Sequence, residues 1–460
     1  MRSGFLAILC LAVAATVHAE TYATPTIGFA RNIGQYDADI LFGRDDNYFR
    51  ASGVQVSSDV SIELVGALPT VRIVGEDALP HPLHFYLGPD STRWRENAPH
   101  FSRVHYAGLY AGIDANWHGE SLIFNVAPGA DPGQILLRLH SARPREWSVY
   151  YGEDSVRTQD QTAFYDLAAD ESTLRFYRAL PARFVQVDQN SFRVEVRDWD
   201  RSLPLTITMK VPLMYDGWYS DAVRPGYDGS ALISGTRTTV KHGYLAKSAP
   251  NKVEFVSLIP ANFLGKVAVG KDGSSTVGGT PADGSPVTPG EPLRPLFGIG
   301  WVGRFDPTGR LTAATVFDHR INDIAVDPAG LVYVATPEYI MRWIPRDSSR
   351  FQFPIAGATS LAVNSSGLLA WCAPRAPNQA TLPGAFQARY EGLQDVFAGT
   401  IESSGRMHAA TYVPVNGAPL PPEHSMACTV AMSPSGSIWI SSEFFHWRSE
   451  EHTSELQSRQ

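Results

Sequence analysis

Four segments in the second half of the chain constrain its fold more than any others: VAVGKDGSSTVGGT (267–280), IAVDPAGLVYVAT (324–336), LAVNSSGLLAWCA (361–373) and VAMSPSGSIWISS (430–442). Each begins as an apolar strand, turns through four residues ending in glycine, and resumes as a second apolar strand. Gly273, Gly330, Gly367 and Gly436 set the register, with an average period of about 54 residues. The turns carry their own mechanism. Asp327, Asn364 and Ser433 stand first, where a short polar side chain bonds the backbone two residues on. Pro or Ser follows at φ near −65°, and glycine takes the left-handed position. Asp306 to Gly309 and Glu402 to Gly405 supply a second such turn in two of the units; at Asp347 to Arg350 the glycine is missing. Two hairpins per unit make a four-stranded blade, and radially arranged blades make a propeller. A β-solenoid is the competitor, but its coils repeat in fewer residues.

The rest of the chain agrees with an all-β reading. The 460 residues include 39 Gly and 33 Pro, are 11% aromatic and 18% charged, and show no long 3.6-residue period. VSIELVGA (60–67), TVRIVG (70–75) and FRVEVRDW (192–199) alternate apolar with polar residues, as half-buried strands do. A net charge of −8 excludes a broad attraction to nucleic acid. The expected organisation is a signal peptide (1–19), an N-terminal β-domain of sandwich or barrel type (20–220), and an incomplete propeller of about four blades (221–447). The Gly/Pro-rich stretch 278–292 reads as a loop within a blade.

The opening MRSGFLAILCLAVAATVHA has a basic start, an apolar run and small residues before the expected cleavage point, as a secretory signal does. The chain is therefore expected to be extracellular, at the cell surface or periplasmic. Cys10 would leave with the signal, and Cys372 and Cys428 then either pair or stand as separate buried thiols.

NIGQ (32–35), HFYLGPDSTRWR (84–95), VHYAGLYAGIDANWHG (104–119), FNVAPGADPGQILLRL (124–139) and WDRSLPLTI (199–207) occur in one order over about 190 residues. Together they resemble the uncharacterised β-domain that precedes SBBP repeats (β-propeller repeats) in bacterial secreted proteins. VAVGKDGSSTVGGT, SPVTPGE and GWVGRFDPTGRLTAATVF resemble one whole SBBP unit, and LPGAFQARY (382–390) the middle of another. Leu122 and Ile123 stand where the family usually has an acidic-aromatic pair. The resemblance implies architecture and location and carries no activity with it. RSEEHTSELQS, from Arg448, is similar to a translated sequencing adapter, so 448–460 reads as an artefact and the propeller as truncated. A closed ring of six or seven such blades would need roughly 320 to 380 residues.

No nucleophile elbow, zinc-protease, P-loop or dinucleotide motif occurs, so no catalytic residue and no cofactor is expected. His81, His84, His105 and His118 are weak metal candidates, since no cysteine joins them and their spacing fits no tight motif. Asp272, Asp306 and Asp327 each offer one carboxylate per turn, which suits turn chemistry better than calcium. Asp45-Asp46 and Glu76-Asp77 are weak candidates for paired carboxylates. Trp94, Tyr106, Tyr110 and Trp117 suit either a sugar-stacking platform or a core. The expected role is binding or scaffolding, with a propeller surface presented to a protein or glycan. The alternative is a polymer-degrading propeller hydrolase or lyase, which would gather acids, His or Tyr at the channel mouth.

Overall fold

The computed structural model describes residues 27–445 apart from several segments, the longest being 142–161, 168–175, 211–218, 292–298 and 415–424. The expected signal, the adapter-like tail, Asp45-Asp46 and the Asp347 to Arg350 turn lie outside the described residues. Those described form strands and short 3-10 turns, with no α-helix.

The first half is one curled antiparallel sheet of fourteen strands. Strand Phe29–Arg31 pairs with Phe42–Arg44 on one side and with His100–Tyr110 on the other, which bends the sheet back on itself. Period-2 alternation decides which side chains enter. Along His100–Tyr110, Val104 and Tyr106 are buried while Arg103 and His105 face outward; the neighbouring strand Ile113–His118 buries Ala115 and Trp117 between Asn116 and His118. Phe29, Phe49, Trp117 and Phe124 anchor the interior, with Phe49 edge-on to both Phe29 and Trp117.

The second half is a series of blades. Blade 1 consists of Tyr219–Pro225, Ala231–Arg237, His242–Ala249 and the first half of Lys252–Val269. Blade 2 takes the second half of that strand with Ser275–Pro281, Gly300–Phe305 and Leu311–Phe317. Blade 3 is Asp323–Val326, Val332–Ala335, Ile340–Trp343 and Phe351–Phe353. Blade 4 is Ser360–Val363, Leu369–Pro374, Val396–Ile401 and Met407–Val413. Blade 5 contributes Ser425–Met432 and Ile438–Phe445. From blade 2 onward, first strands lie next to first strands, as in a propeller. The all-β fold with about four full blades is as expected, and 282–299 connects two strands of blade 2.

Every blade alternates its apolar residues between two neighbours. In blade 2, Val267, Trp301 and Ala314 pack toward blade 1, whereas Ala268, Val302 and Ala313 pack toward blade 3. Tyr333, Trp371 and Tyr412 fill the space between blades 3 and 4. Blade 5 closes on blade 4 through Cys372, Val396, Cys428 and Val430. Cys372 and Cys428 form a disulfide with Cα atoms 6.2 Å apart, the pairing that the sequence left open.

The turns behave as their chemistry demands. Asp306 Oδ1 accepts from Thr308 N at 2.8 Å, Asn364 Oδ1 from Ser366 N at 3.0 Å, and Asp272 Oδ1 from Ser274 N at 3.0 Å. Gly273, Gly309, Gly330, Gly367, Gly405 and Gly436 all have φ between 81° and 92°. A fifth first-hairpin turn stands in blade 1 at Gly229, φ 81°, with Asp228 bonded to Ser230. Its sequence, GYDGS, differs from GKDGS at 270–274 in one residue, and that likeness was the available signal.

Candidate functional site at the joint between sheet domain and blade 1

Two motifs from distant parts of the first half meet against blade 1. NIGQ builds a rigid loop. The Asn32 side chain accepts from Gly34 N at 2.8 Å and donates to Asp37 O and Ile40 O, both at 2.8 Å. Gln35 accepts from Ile33 N at 2.7 Å and donates to Arg31 O at 2.8 Å. This loop presents the ring of Tyr36, packed edge-on to Tyr48 at 5.5 Å and to Phe85 at 5.8 Å. The second motif, HFYLGPDSTRWR, supplies Phe85 and also Arg95, which donates to Ile33 O at 3.0 Å and so ties the two motifs together.

Within that second motif, strand Leu83–Phe85 adds to blade 1. It pairs in parallel with Lys252–Val269, Leu83 opposite Val256 and Phe85 opposite Leu258. The result is a cleft of about 340 Å³ whose walls come from both halves: Tyr36, Tyr48 and Phe85 on the sheet-domain side, His242 and Leu258 on blade 1. Asp37, Arg50 and Gln55 provide polar groups. Arg50 is held by Asp39 and by Gln55 Oε1 at 3.2 Å, and its guanidinium keeps the Asp39 carboxyl below the usual carboxylate range. A half-open, largely preformed cleft at a domain joint, with aromatic walls and a few fixed polar groups, has the anatomy of a small-ligand site.

The four candidate histidines do not gather. His84 is buried at the joint: its Nδ1 accepts from Asn97 N at 3.3 Å and its Nε2 lies 3.2 Å from Thr308 O. Burial lowers its pKa, with the Thr308 carbonyl opposing. His81 packs edge-on to His100 at 4.4 Å, and His100 Nε2 lies 2.8 Å from His81 O. His105 and His118 sit elsewhere, on the outer face of the sheet, His105 2.6 Å from Asn116 Oδ1. No group of three metal-ligating side chains occurs among the described residues. Glu76 and Asp77 both reach Arg103, at 3.6 and 2.9 Å. Tyr106, Tyr110 and Trp117 are core residues, and Trp94 donates to Gly88 O at 2.9 Å.

One further titratable cluster lies between blades 2 and 3. His319 has Nδ1 3.0 Å from Asp318 and Nε2 3.1 Å from Glu338, and the Tyr339 hydroxyl lies 3.2 Å from Asp318. Burial would lower the His319 pKa, but hydrogen bonds to Asp318 and Glu338 outweigh it and raise the pKa. With a carboxylate on each ring nitrogen, this imidazole is a charged clamp between two connections, and neither nitrogen is left to act as a base.

The strands thus define an all-β chain in which a curled sheet domain is joined to propeller blades. Residues 35–208 match a family described as a domain of unknown function, DUF7948. No curated protein matches the chain. Among solved structures it is similar to virginiamycin B lyase from Staphylococcus aureus (8% identity over 82% of this chain and 100% of that one, TM-score 0.31). It is also similar to the Dos1 propeller (11%, 78% and 80%, 0.31) and to a gluconolactonase from Xanthomonas campestris (13%, 54% and 75%, 0.31). Similarity at this level adds nothing to what the strands themselves show.

Proposed function

We propose that the chain is a secreted or cell-surface binding protein whose cleft at the joint takes sugar residues of an extracellular glycan, while SBBP-type blades hold that cleft on a rigid base. The cleft carries the reading: tyrosine rings offer apolar faces, and Asp37, Arg50 and Gln55 offer planar hydrogen-bonding groups at fixed positions. The buried Cys372–Cys428 bridge supports an oxidising compartment. No helix among the described residues is long and apolar enough to cross a membrane. For the rival enzyme reading, acids, His and Tyr should converge with a free base. The Asp318–His319–Glu338–Tyr339 cluster has the residue types, but both imidazole nitrogens are already engaged.

The test is a glycan array followed by titration of the best ligand. Binding should fall at least tenfold in both Tyr48→Ala and Arg50→Ala, with circular dichroism unchanged. Retention of wild-type affinity by both variants would remove the cleft from the account.

A further inference from the structure

The two faces of blade 1 have different partners. Leu232, Leu245, Phe255 and Ile259 point toward blade 2. Tyr244, Ala246, Val256 and Leu258, which alternate with them, point the other way. In a closed ring the second face would belong to the last blade. Here it is covered by Ala30, Leu83, Phe85 and Ala98 of the sheet domain, with Ile27 and Tyr36 at the margin. The contact also wraps the outer edge. Tyr86 donates to Gly309 O at 3.3 Å and accepts from Leu311 N at 2.9 Å, so it reaches past blade 1 to the second hairpin of blade 2. Gly88 N donates to Gly284 O at 2.7 Å, and Arg310 pairs with Glu96 at 3.0 Å.

The innermost strand of blade 1 supplies a second, independent observation. Within Tyr219–Pro225, Ser220, Asp221, Val223, Arg224 and Pro225 are exposed, Val223 by 52%. The strand next to a filled channel in a closed ring would be shielded. Its charges and its proline are of the kind that keep an open sheet edge from pairing with another chain.

From these observations we infer that the sheet domain is the cap of the blade stack: it occupies the face on which a last blade would close the ring, and the blades form an open arc. The cap does for the first blade what a terminal capping repeat does for a solenoid, supplying one finished end from which the remaining blades stack. The partner of this interaction surface is therefore intramolecular, and the inference stands whether or not the cleft binds sugar.

Thiol labelling of the full chain tests it, with Cys372 and Cys428 paired and silent. A cysteine introduced by Val223→Cys, on the innermost strand, is expected to react within a few-fold of an unfolded thiol. One introduced by Val256→Cys, beneath the cap, is expected to react at least a hundredfold more slowly. Adding Leu83→Ser to Val256→Cys should speed labelling at least tenfold. Should Leu83→Ser prevent folding, Tyr86→Phe, which removes only the hydroxyl bonds to blade 2, should speed it by a smaller factor. Slow labelling at 223 would mean that the ring is closed. Labelling at 256 as fast as at 223, or unmoved by either second substitution, would mean that the sheet domain does not cap blade 1.

Discussion

At the residue scale, single side chains fix backbone that the strands alone would leave unsatisfied. Asp323 shows this most clearly. Buried at the head of blade 3, it accepts from Ile324 N at 2.9 Å and, across the blade boundary, from Leu361 N at 2.8 Å. Ser360, one blade later, accepts from Val430 N at 3.2 Å in the same way. Burial raises the Asp323 pKa, with those two N–H groups pulling against it. Removing the side chain orphans both donors, so Asp323→Ala should cost about 2–4 kcal/mol in denaturant unfolding. Gly309 is constrained twice: φ is 85°, and a Cβ there would run into the Phe255 ring. Gly309→Ala should therefore cost about 2–4 kcal/mol, against about 1 kcal/mol for strain alone. His319 gives a pH signature. Its pKa is raised on folding, so the clamp's contribution is complete below the unfolded value of about 6.5 and is lost as pH rises through the folded value. Between roughly pH 6 and 9 the wild type should lose more thermal stability than His319→Gln; equal losses would remove the clamp from the account.

At the element scale, the blade hairpins were legible because their turns are local. An Asx or Ser side chain, a φ-restricted residue and a left-handed glycine act within five residues, and no distant contact is needed to read them. The blade 1 turn at Asp228 and Gly229 was equally local, but its flanking strand, VRP, does not share the apolar start of the other four. Strand Leu83–Phe85 was not legible at all. Three residues carry no period, and its parallel partner at Val256–Leu258 lies about 170 positions on, so nothing near it in the sequence marks it as a blade strand. The same limit applied to the cleft. NIGQ and HFYLGPDSTRWR stood out as family likenesses, yet that Arg95 joins them and that Tyr36 meets Phe85 are facts of tertiary packing. Pairing of the two cysteines likewise depended on how blades 4 and 5 stack. The disulfide closes a separation of 56 residues, for which chain entropy gives at most about 4 kcal/mol. Cys428→Ser should lower stability by up to that amount and raise hydrogen exchange first in Ser425–Met432, leaving blade 1 unchanged.

At the scale of the whole molecule, the apolar clusters line up as one series: sheet domain on blade 1, then blades 1 to 5 in turn. Each interface is built by alternating residues of both partners, so cooperativity should pass between neighbours. The joint is the place where this series and the proposed binding cleft coincide, since Phe85 and Leu258 belong both to the cluster that seals the joint and to the cleft wall. A joint that opened readily would have no preformed cleft. The most direct measurement is native-state hydrogen exchange of the wild-type chain, comparing amides of 83–86 with those of 256–258. Pairing of these strands within one sealed interface predicts that Phe85, Tyr86 and Val256, whose amides donate across the joint to Arg95 O, Leu258 O and Pro82 O, exchange together and as slowly as the centre of blade 1. Exchange of 85 and 86 orders of magnitude faster than of 256 would contradict the account, leaving the sheet domain and the blades as two bodies joined only by chain.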